Sequence, residues 1–194
     1  MRISAILTRM PSHPSSSRLS LVRLGNPVLR AKAKRVPLSY LKTKEFLNLK
    51  KQLLRVMRSS GGVGLAAPQL GVSLRVAVLE TRPTETRPDL SEKGPLFIIN
   101  PKVTSYGKSL ARDWEGCLSF RPLRGQVRRP CSITVEYWNE EGVHIEERMT
   151  GLWARIFQHE VDHLDGVIYL DRVEDTRSLM QLEEFRERIV GKKY

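Results

Sequence analysis

The chain predicts an α+β fold: short, mostly antiparallel strands around a central helix, with a further helix at the C-terminal end. Three observations carry this expectation. Short apolar stretches at residues 74–79, 96–99, 124–128, 131–138 and 143–149 are set apart by Gly, Pro and Asn, as strands joined by turns are. Residues 152–164 place Ile156, Leu164 and the stem of Arg155 on the side that also bears His159 and His163, with Gly166 as the stop, which reads as a helix. Residues 176–190 repeat Leu179, Leu182, Phe185 and Ile189 at the spacing of an amphipathic helix.

In chain order, residues 1–20 form a basic Ser/Pro-rich leader, free of acids, that reads either as a flexible tail or as a transit-like segment. Residues 21–194 are expected to form a single catalytic domain, and 194 residues with 40% hydrophobic content suffice for one sizeable core. Leu24-Gly25-Asn26-Pro27 is the entry turn. Phe46, Leu49, Leu53, Leu54 and Met57 then mark an amphipathic helix that Gly61 and Gly62 end. The run from Gly62 to Gln69 (GVGLAAPQ) lacks the Gly-Lys-Ser/Thr of a phosphate loop and no helix follows it. It reads as backbone in close approach to a ligand, with Gln69 as the polar group at the edge of an apolar wall.

Residues 81–94 are a polar, Pro-containing surface loop, and 96–99 a buried strand ending at Asn100-Pro101. Cys117, taken alone, has the profile of a buried structural cysteine, but Gly116 and Ser119 beside it suggest a turn with an accessible thiol. Cys131, at a strand start, reads as core filler. Residues 139–142 (NEEG) make the hairpin turn, and 167–170 a short strand.

The formal charge of +12 is unevenly distributed: residues 1–44 hold ten Lys/Arg and no acid, and the remainder 23 Lys/Arg against 21 Asp/Glu. The folded part is thus nearly neutral, which argues against a nucleic-acid-reading domain. No apolar run approaches the roughly 18 residues of a membrane span. Two cysteines without a signal-peptide pattern point to free thiols in a reducing compartment.

The chemistry concentrates at His159-Glu160-Val161-Asp162-His163, an H-E-x-x-H pattern. On a helix, residues four apart share a face, so two imidazoles converge on one metal ion while Glu160 stands beside it, free to take a proton from water on the ion. A catalytic site needs a third protein ligand. His13 and His144 read as surface residues, and position 169, where the longer protease motif has its third histidine, is Tyr169. Glu174, Glu183 or a cysteine remain as candidates.

Three stretches in order, GVGLAAPQ at 62–69, EGCLS at 115–119 and QHEVDHLDG at 158–166, strongly resemble the signature motifs of peptide deformylase, and the likeness runs from about Leu24 to Asp171. The resemblance implies a metallohydrolase that removes the formyl group from the N-terminal formyl-methionine of nascent polypeptides, releasing formate. It implies Cys117, His159 and His163 as metal ligands, Glu160 as general base and then acid, Gln69 and the Leu118 backbone N–H as donors to the formyl oxygen, and Gly64 as a backbone contact to substrate. The ion it implies is Fe(II), with Zn, Ni or Co as substitutes. The expected partners are an N-formylmethionyl nascent peptide and, in transient contact, the ribosome, with no membrane partner and a monomeric state. The compartment is the bacterial cytoplasm, or a mitochondrion or plastid if the leader targets it. Gly151-Leu152-Trp153 departs from the Gly-Trp followed by a smaller residue in many relatives, which touches the pocket wall and not the chemistry.

Val63, Leu65 and Ile156 are expected to receive the methionine side chain. Arg124 either holds the peptide backbone or pairs with Glu115, the pairing being preferred. Asp162 and Glu115 are candidates to orient the ligands. Arginines 121, 124, 128 and 129 read as a solvated strand edge, with ribosomal RNA as the alternative partner. Two other functions compete: an endopeptidase with Glu174 or Glu183 as third ligand, and a basic RNA-binding protein with a closed structural metal. The identity of the third ligand and the role of Glu160 separate them.

Overall fold

The computed structural model describes residues 18–83 and 90–191. Most of the leader, including His13, and residues 84–89 of the expected 81–94 loop lie outside the described residues.

Helix α1 (Lys44–Ser59) starts where Thr43 Oγ1 accepts from the Phe46 N–H (3.2 Å), a capping bond for one of the first turn's unpaired donors. Its apolar face, Phe46, Leu49, Leu53, Val56 and Met57, is buried against a five-stranded antiparallel sheet. That sheet has the order β1 (Gly64–Ala66), β2 (Val76–Thr81), β3 (Lys93–Tyr106), β6 (Ser132–Trp138), β7 (His144–Thr150). Strand β2 is buried along its whole length because both faces are covered. Val76 and Val78 pack with α1, whereas Ala77 and Leu79 share the opposite cluster with helix α2 (Gly151–Leu164).

A second sheet, β4 (Leu110–Glu115), β5 (Leu123–Pro130) and β8 (Met180–Gln181), closes over the other side of α2. Arg155 Nη2 donates to the Ala111 carbonyl (2.7 Å) and Nη1 to that of Val127 (3.0 Å), and Gln158 Nε2 donates to that of Pro130 (3.1 Å). The helix bearing the H-E-x-x-H motif is therefore enclosed by two sheets. No helix among the described residues is long and apolar enough to cross a membrane.

Several local expectations change. Strand β3 does not end at Asn100-Pro101 but runs on to Tyr106, with the pairing to β6 slipping between Ile99 and Lys102. Asn100 takes a positive φ of 52° at this bulge. Its side chain accepts from the Val36 N–H and donates to the Val36 carbonyl (2.8 Å each), fastening the N-terminal segment to the sheet. Residues 167–170 are not a strand: Asp171 Oδ2 accepts from the Ile168 N–H (2.9 Å) and winds Tyr169–Arg172 into a 3-10 turn. The expected helix over 176–190 is split. Asp175 accepts from the Arg177 N–H (2.9 Å), Met180 and Gln181 pair with Arg124 and Leu123 as β8, and only then does α3 (Leu182–Phe185) begin, continuing as a π turn through Arg186–Val190. Cys131 is half-buried beside Ser109 and not core filler, because it sits at the β5–β6 corner.

Replacing Asn100 by Ala should remove both buried bonds to Val36 and strain the backbone, lowering stability by about 2 to 4 kcal/mol in urea unfolding. Asn100→Gly, which relieves the positive φ, should cost less.

Candidate metal centre

Helix α2 projects His159 and His163 toward the turn that follows β4, and there they meet Cys117. The nitrogen and sulfur donors of these three residues lie within 4.8 Å of one another. Cys117 Sγ is 3.3 Å from His163 Nε2, close to the ~3.5 Å that a sulfur and a nitrogen have across one tetrahedral ion. A thiolate and two imidazoles suit a borderline or soft divalent metal. The residues present therefore fit a metal ion. Burial disfavours charge on His159, but the Cys117 sulfur and the Glu115 carboxylate outweigh it and push its pKa up to about 10. The same negative surroundings would favour a bound cation. His163, buried more completely and near the charge on His159, is held well below the usual imidazole range.

Glu115 anchors the arrangement. Its carboxylate accepts from Arg129 Nε (2.7 Å) and Nη2 (3.0 Å), from Arg155 Nη1 (2.6 Å), and lies 2.9 Å from His159 Nδ1, so His159 turns its other nitrogen to the site. Burial pushes the Glu115 carboxyl up, but His159 and Arg129 overcome this and hold it well below the usual range. Arg129 Nη1 also donates to Asp162 (2.8 Å), which takes Arg172 Nη2 as well (2.8 Å). Glu115 thus touches one of the three candidate ligands directly, while Asp162 acts through Arg129. Arg124 does not pair with Glu115, because Arg129 and Arg155 occupy that carboxylate.

Gln69 is oriented by its own loop. Its Oε1 accepts from the Ala66 N–H (2.9 Å), which leaves Nε2 to face Cys117 Sγ at 3.3 Å. Leu118 opens a 3-10 turn, Leu118–Phe120, where leading N–H groups have no partner within the turn. Glu160 is buried, its Oε2 meets no hydrogen-bond partner, and burial raises its pKa to about 7. A Cβ on Gly64 would collide with Glu160 Oε1 and come within 3.0 Å of Ile156 Cγ2, so the glycine makes room for the carboxylate. Tyr169 stacks on Phe120 (ring centroids 5.2 Å) and His159 (6.2 Å), backing the ligand from behind.

A cleft of about 650 Å³ opens onto this centre, bordered by Val63, Gly64, Gln69, Leu118, Arg124, Leu152, Ile156 and Glu160 among others. Leu65 does not border it. Strand alternation turns Leu65 away from Gly64 into the core beneath α1, where it is wholly buried. The departure at Leu152 does fall on the cleft wall. His144 is exposed on β7, Glu174 is held by Arg128 and Arg112, and Glu183 is exposed, so none of the other candidate third ligands reaches the site. The arginines at 121, 124, 128 and 129 do not form one solvated edge: Arg129 is buried, Arg128 pairs with Glu174, and Arg121 and Arg124 border the cleft. The inward placement of Arg129 had a signal in the sequence, since Gly125, Val127 and Arg129 alternate onto one buried face of β5. Phe185 and Leu182 of α3 also border the cleft, and nothing in their helical spacing marked that face.

An α+β domain that brings a Cys/His/His set beside a buried glutamate on an H-E-x-x-H helix has the make-up of a metallohydrolase. The "Polypeptide deformylase" family profile matches residues 19–178. Peptide deformylase 2 of a Nostoc species is 39% identical over 169 residues, covering 87% of this chain and 93% of the relative. A Picosynechococcus peptide deformylase is 42% identical over 161 residues, covering 83% and 82%. Among solved structures, the Met-Ala-Ser-bound class I type b peptide deformylase of Acinetobacter baumannii superposes with a TM-score of 0.78 at 34% identity, over 81% of this chain and 99% of that one. A Synechococcus elongatus peptide deformylase in complex with actinonin gives 0.74 at 36% identity, over 91% and 88%. The chain belongs to the peptide deformylase family, and is a metal-dependent hydrolase that removes the N-formyl group from nascent chains.

Glu115→Ala should leave the buried Arg155 guanidinium without its counter-charge and Arg129 with Asp162 alone, and cost about 3 to 5 kcal/mol in urea unfolding. A Glu115→Met/Arg129→Met double variant should recover part of that loss, and a double-mutant cycle showing no coupling would refute the network's role.

Proposed function

We propose that Cys117, His159 and His163 hold one divalent ion and that Glu160, Gln69 and Leu118 carry out deformylation around it. The observation that carries the assignment is the convergence of the three donors beside a buried Glu160 whose Oε2 has no partner. The ion, when bound, supplies Lewis acidity and acidifies a water. Glu160 would take a proton from the attacking water and return it to the departing amine nitrogen, a role suited to a carboxyl that burial brings toward neutrality. Gln69 Nε2, fixed by the bond from Ala66 to its oxygen, and the Leu118 N–H donate to the formyl oxygen as charge develops on it; donors so placed contribute roughly 3 to 4 kcal/mol each in comparable hydrolases. Gly64 offers its backbone to the substrate, Val63, Ile156 and Leu152 receive the methionine side chain, and Arg124 lies along the path of the following residues.

Fe(II) is the ion proposed, with Zn, Ni or Co as functional substitutes, since a Cys/His/His set accepts all four. The protein is further proposed to act as a monomer in the bacterial cytoplasm, meeting its substrate in transient contact with the ribosome. The bacterial relatives support the compartment, and the relative solved with Met-Ala-Ser supports an N-terminal methionyl peptide as the occupant of the cleft.

Formate release from formyl-Met-Ala-Ser, with metal content measured on the same anaerobically purified sample, tests the assignment. Glu160→Gln should keep its metal and lose turnover by about a thousandfold or more, whereas Cys117→Ala should lose the metal itself. Normal turnover in Glu160→Gln would sink the assignment. Gly64→Ala should retain the fold and metal but displace Glu160, lowering kcat by about a hundredfold.

A further inference from the structure

Four arginines follow one another along one wall of the cleft, and among the described residues one carboxylate, Glu80, answers two of them. Arg58 donates to Glu80 through Nε (3.0 Å) and Nη2 (2.5 Å), and Arg82 donates to the same carboxylate through Nη1 (2.9 Å). Arg82 Nη2 also reaches the Arg58 carbonyl (3.3 Å). Two residues on, the Ser60 carbonyl accepts from Arg121, and the Arg121 carbonyl accepts from Arg124 Nη1 (3.1 Å), which donates to the Leu123 carbonyl as well (2.8 Å). The contacts are continuous from Arg82 to Arg124, and all four side chains border the cleft. Among the described residues, Arg121 and Arg124 bond to carbonyl oxygens and to no carboxylate.

Among the described residues that border the cleft, Glu115 and Arg155 are joined in the buried network, and Glu160 stands beside Cys117, His159 and His163. A Cβ at Gly116 would run into the Arg124 guanidinium, so the glycine before Cys117 lets this cation lie against the metal-site turn. Like charges gathered in a partly desolvated cleft repel one another, and the arrangement is relieved by an anion. The C-terminus of a nascent chain lies far from its formylated end. The anions able to reach this wall are therefore side-chain carboxylates close behind the methionine.

We infer that the Arg58–Arg82–Arg121–Arg124 wall selects formylmethionyl chains carrying Asp or Glu at the second or third residue. The inference rests on the residue assignment under Proposed function and adds a substrate preference to it. Arg121 is a specificity-determining residue in this reading, outside the chemistry itself.

The test measures formate release from formyl-Met-Ala-Glu, formyl-Met-Ala-Gln and formyl-Met-Ala-Lys, and from the same series with the variable residue second. All are C-terminally amidated, so the side chain is the only carboxylate. In one series at least, Glu should exceed Gln in kcat/KM by about five- to tenfold at low salt, chiefly through KM, with Lys poorest. The ratio should fall toward unity at about 0.5 M salt. Arg121→Gln should shrink the Glu/Gln ratio and Arg121→Lys should keep most of it. Equal kcat/KM for Glu and Gln in both series, or a ratio untouched by Arg121→Gln, overturns the inference. A wall that served a polyanion would give equal rates for all peptides and loss of turnover on adding RNA, which also overturns it. Release from none of the peptides would instead overturn the assignment on which the preference rests.

Discussion

The buried carboxylate of Glu115 is the constraint on which the rest of the site depends. Burying a carboxylate and two guanidinium groups carries a desolvation penalty of several kcal/mol per ion unless geometry and hydrogen bonds offset it. Here Arg129 binds Glu115 through two nitrogens while reaching Asp162 with a third, and Arg155 adds another donor. The groups come from β4, β5 and α2. Satisfying them leaves little freedom in how helix α2 sits between the sheets, and the rotation of that helix decides where His159 and His163 point. Position of the ligands is thus a consequence of charge compensation several ångströms behind them.

Glycine serves the opposite need, letting three separated stretches touch. Gly64 leaves space for Glu160, Gly62 faces Leu118 closely enough that a Cβ would lie 2.7 Å from Leu118 Cδ1, and Gly116 accommodates Arg124. The first two contacts each join a residue of one stretch to a residue of another, and the third seats Arg124 of β5 against the turn before Cys117. Apolar packing alone does not bring chain segments this close, because side chains hold backbones apart. The site is therefore assembled where side chains are missing, and held in place where charges are buried.

This division explains what could be read from the sequence. Spacing laid out His159, Glu160 and His163 on one helix turn, and the apolar run at 74–79 marked a strand. Both rest on periodicity, which is local. Leu65 is one of the apolar residues of the first motif expected to receive the methionine side chain, but its strand turns it into the core. The preferred partner of Arg124 was wrong because Glu115 was already committed to cations from β5 and α2, a matter of tertiary neighbours. The 3-10 turn at Tyr169–Arg172 and the break before α3 had the same origin: Asp171 and Asp175 bond to nearby backbone N–H groups, and such local bonds override the apolar pattern. Third-ligand choice lay between these cases. The histidine spacing demanded a further donor and left Glu174, Glu183 or a cysteine open, and the fold brings Cys117 to the two histidines while Glu174 and Glu183 lie outside.

Helix α2 also shows where the molecule leaves a charge uncompensated. It carries Arg155, His159, Glu160, Asp162 and His163 within nine residues, and all but His159 are buried by fractional exposure. Arg155 and Asp162 are answered by opposite charges, His159 by Glu115, and His163 faces Cys117. Glu160 Oε2 is buried with no hydrogen-bond partner among the described residues, as is the Nδ1 of His163. In a protein interior such a group is destabilising, and it persists when surrounding contacts fix it in place. The surrounding contacts are the ones already described: Gly64 against its carboxylate, and a helix whose rotation the Glu115 network sets. A carboxyl held this way has no competing partner to give up when it exchanges a proton. The strain of burying it and its fitness to act as acid and base therefore have one physical origin.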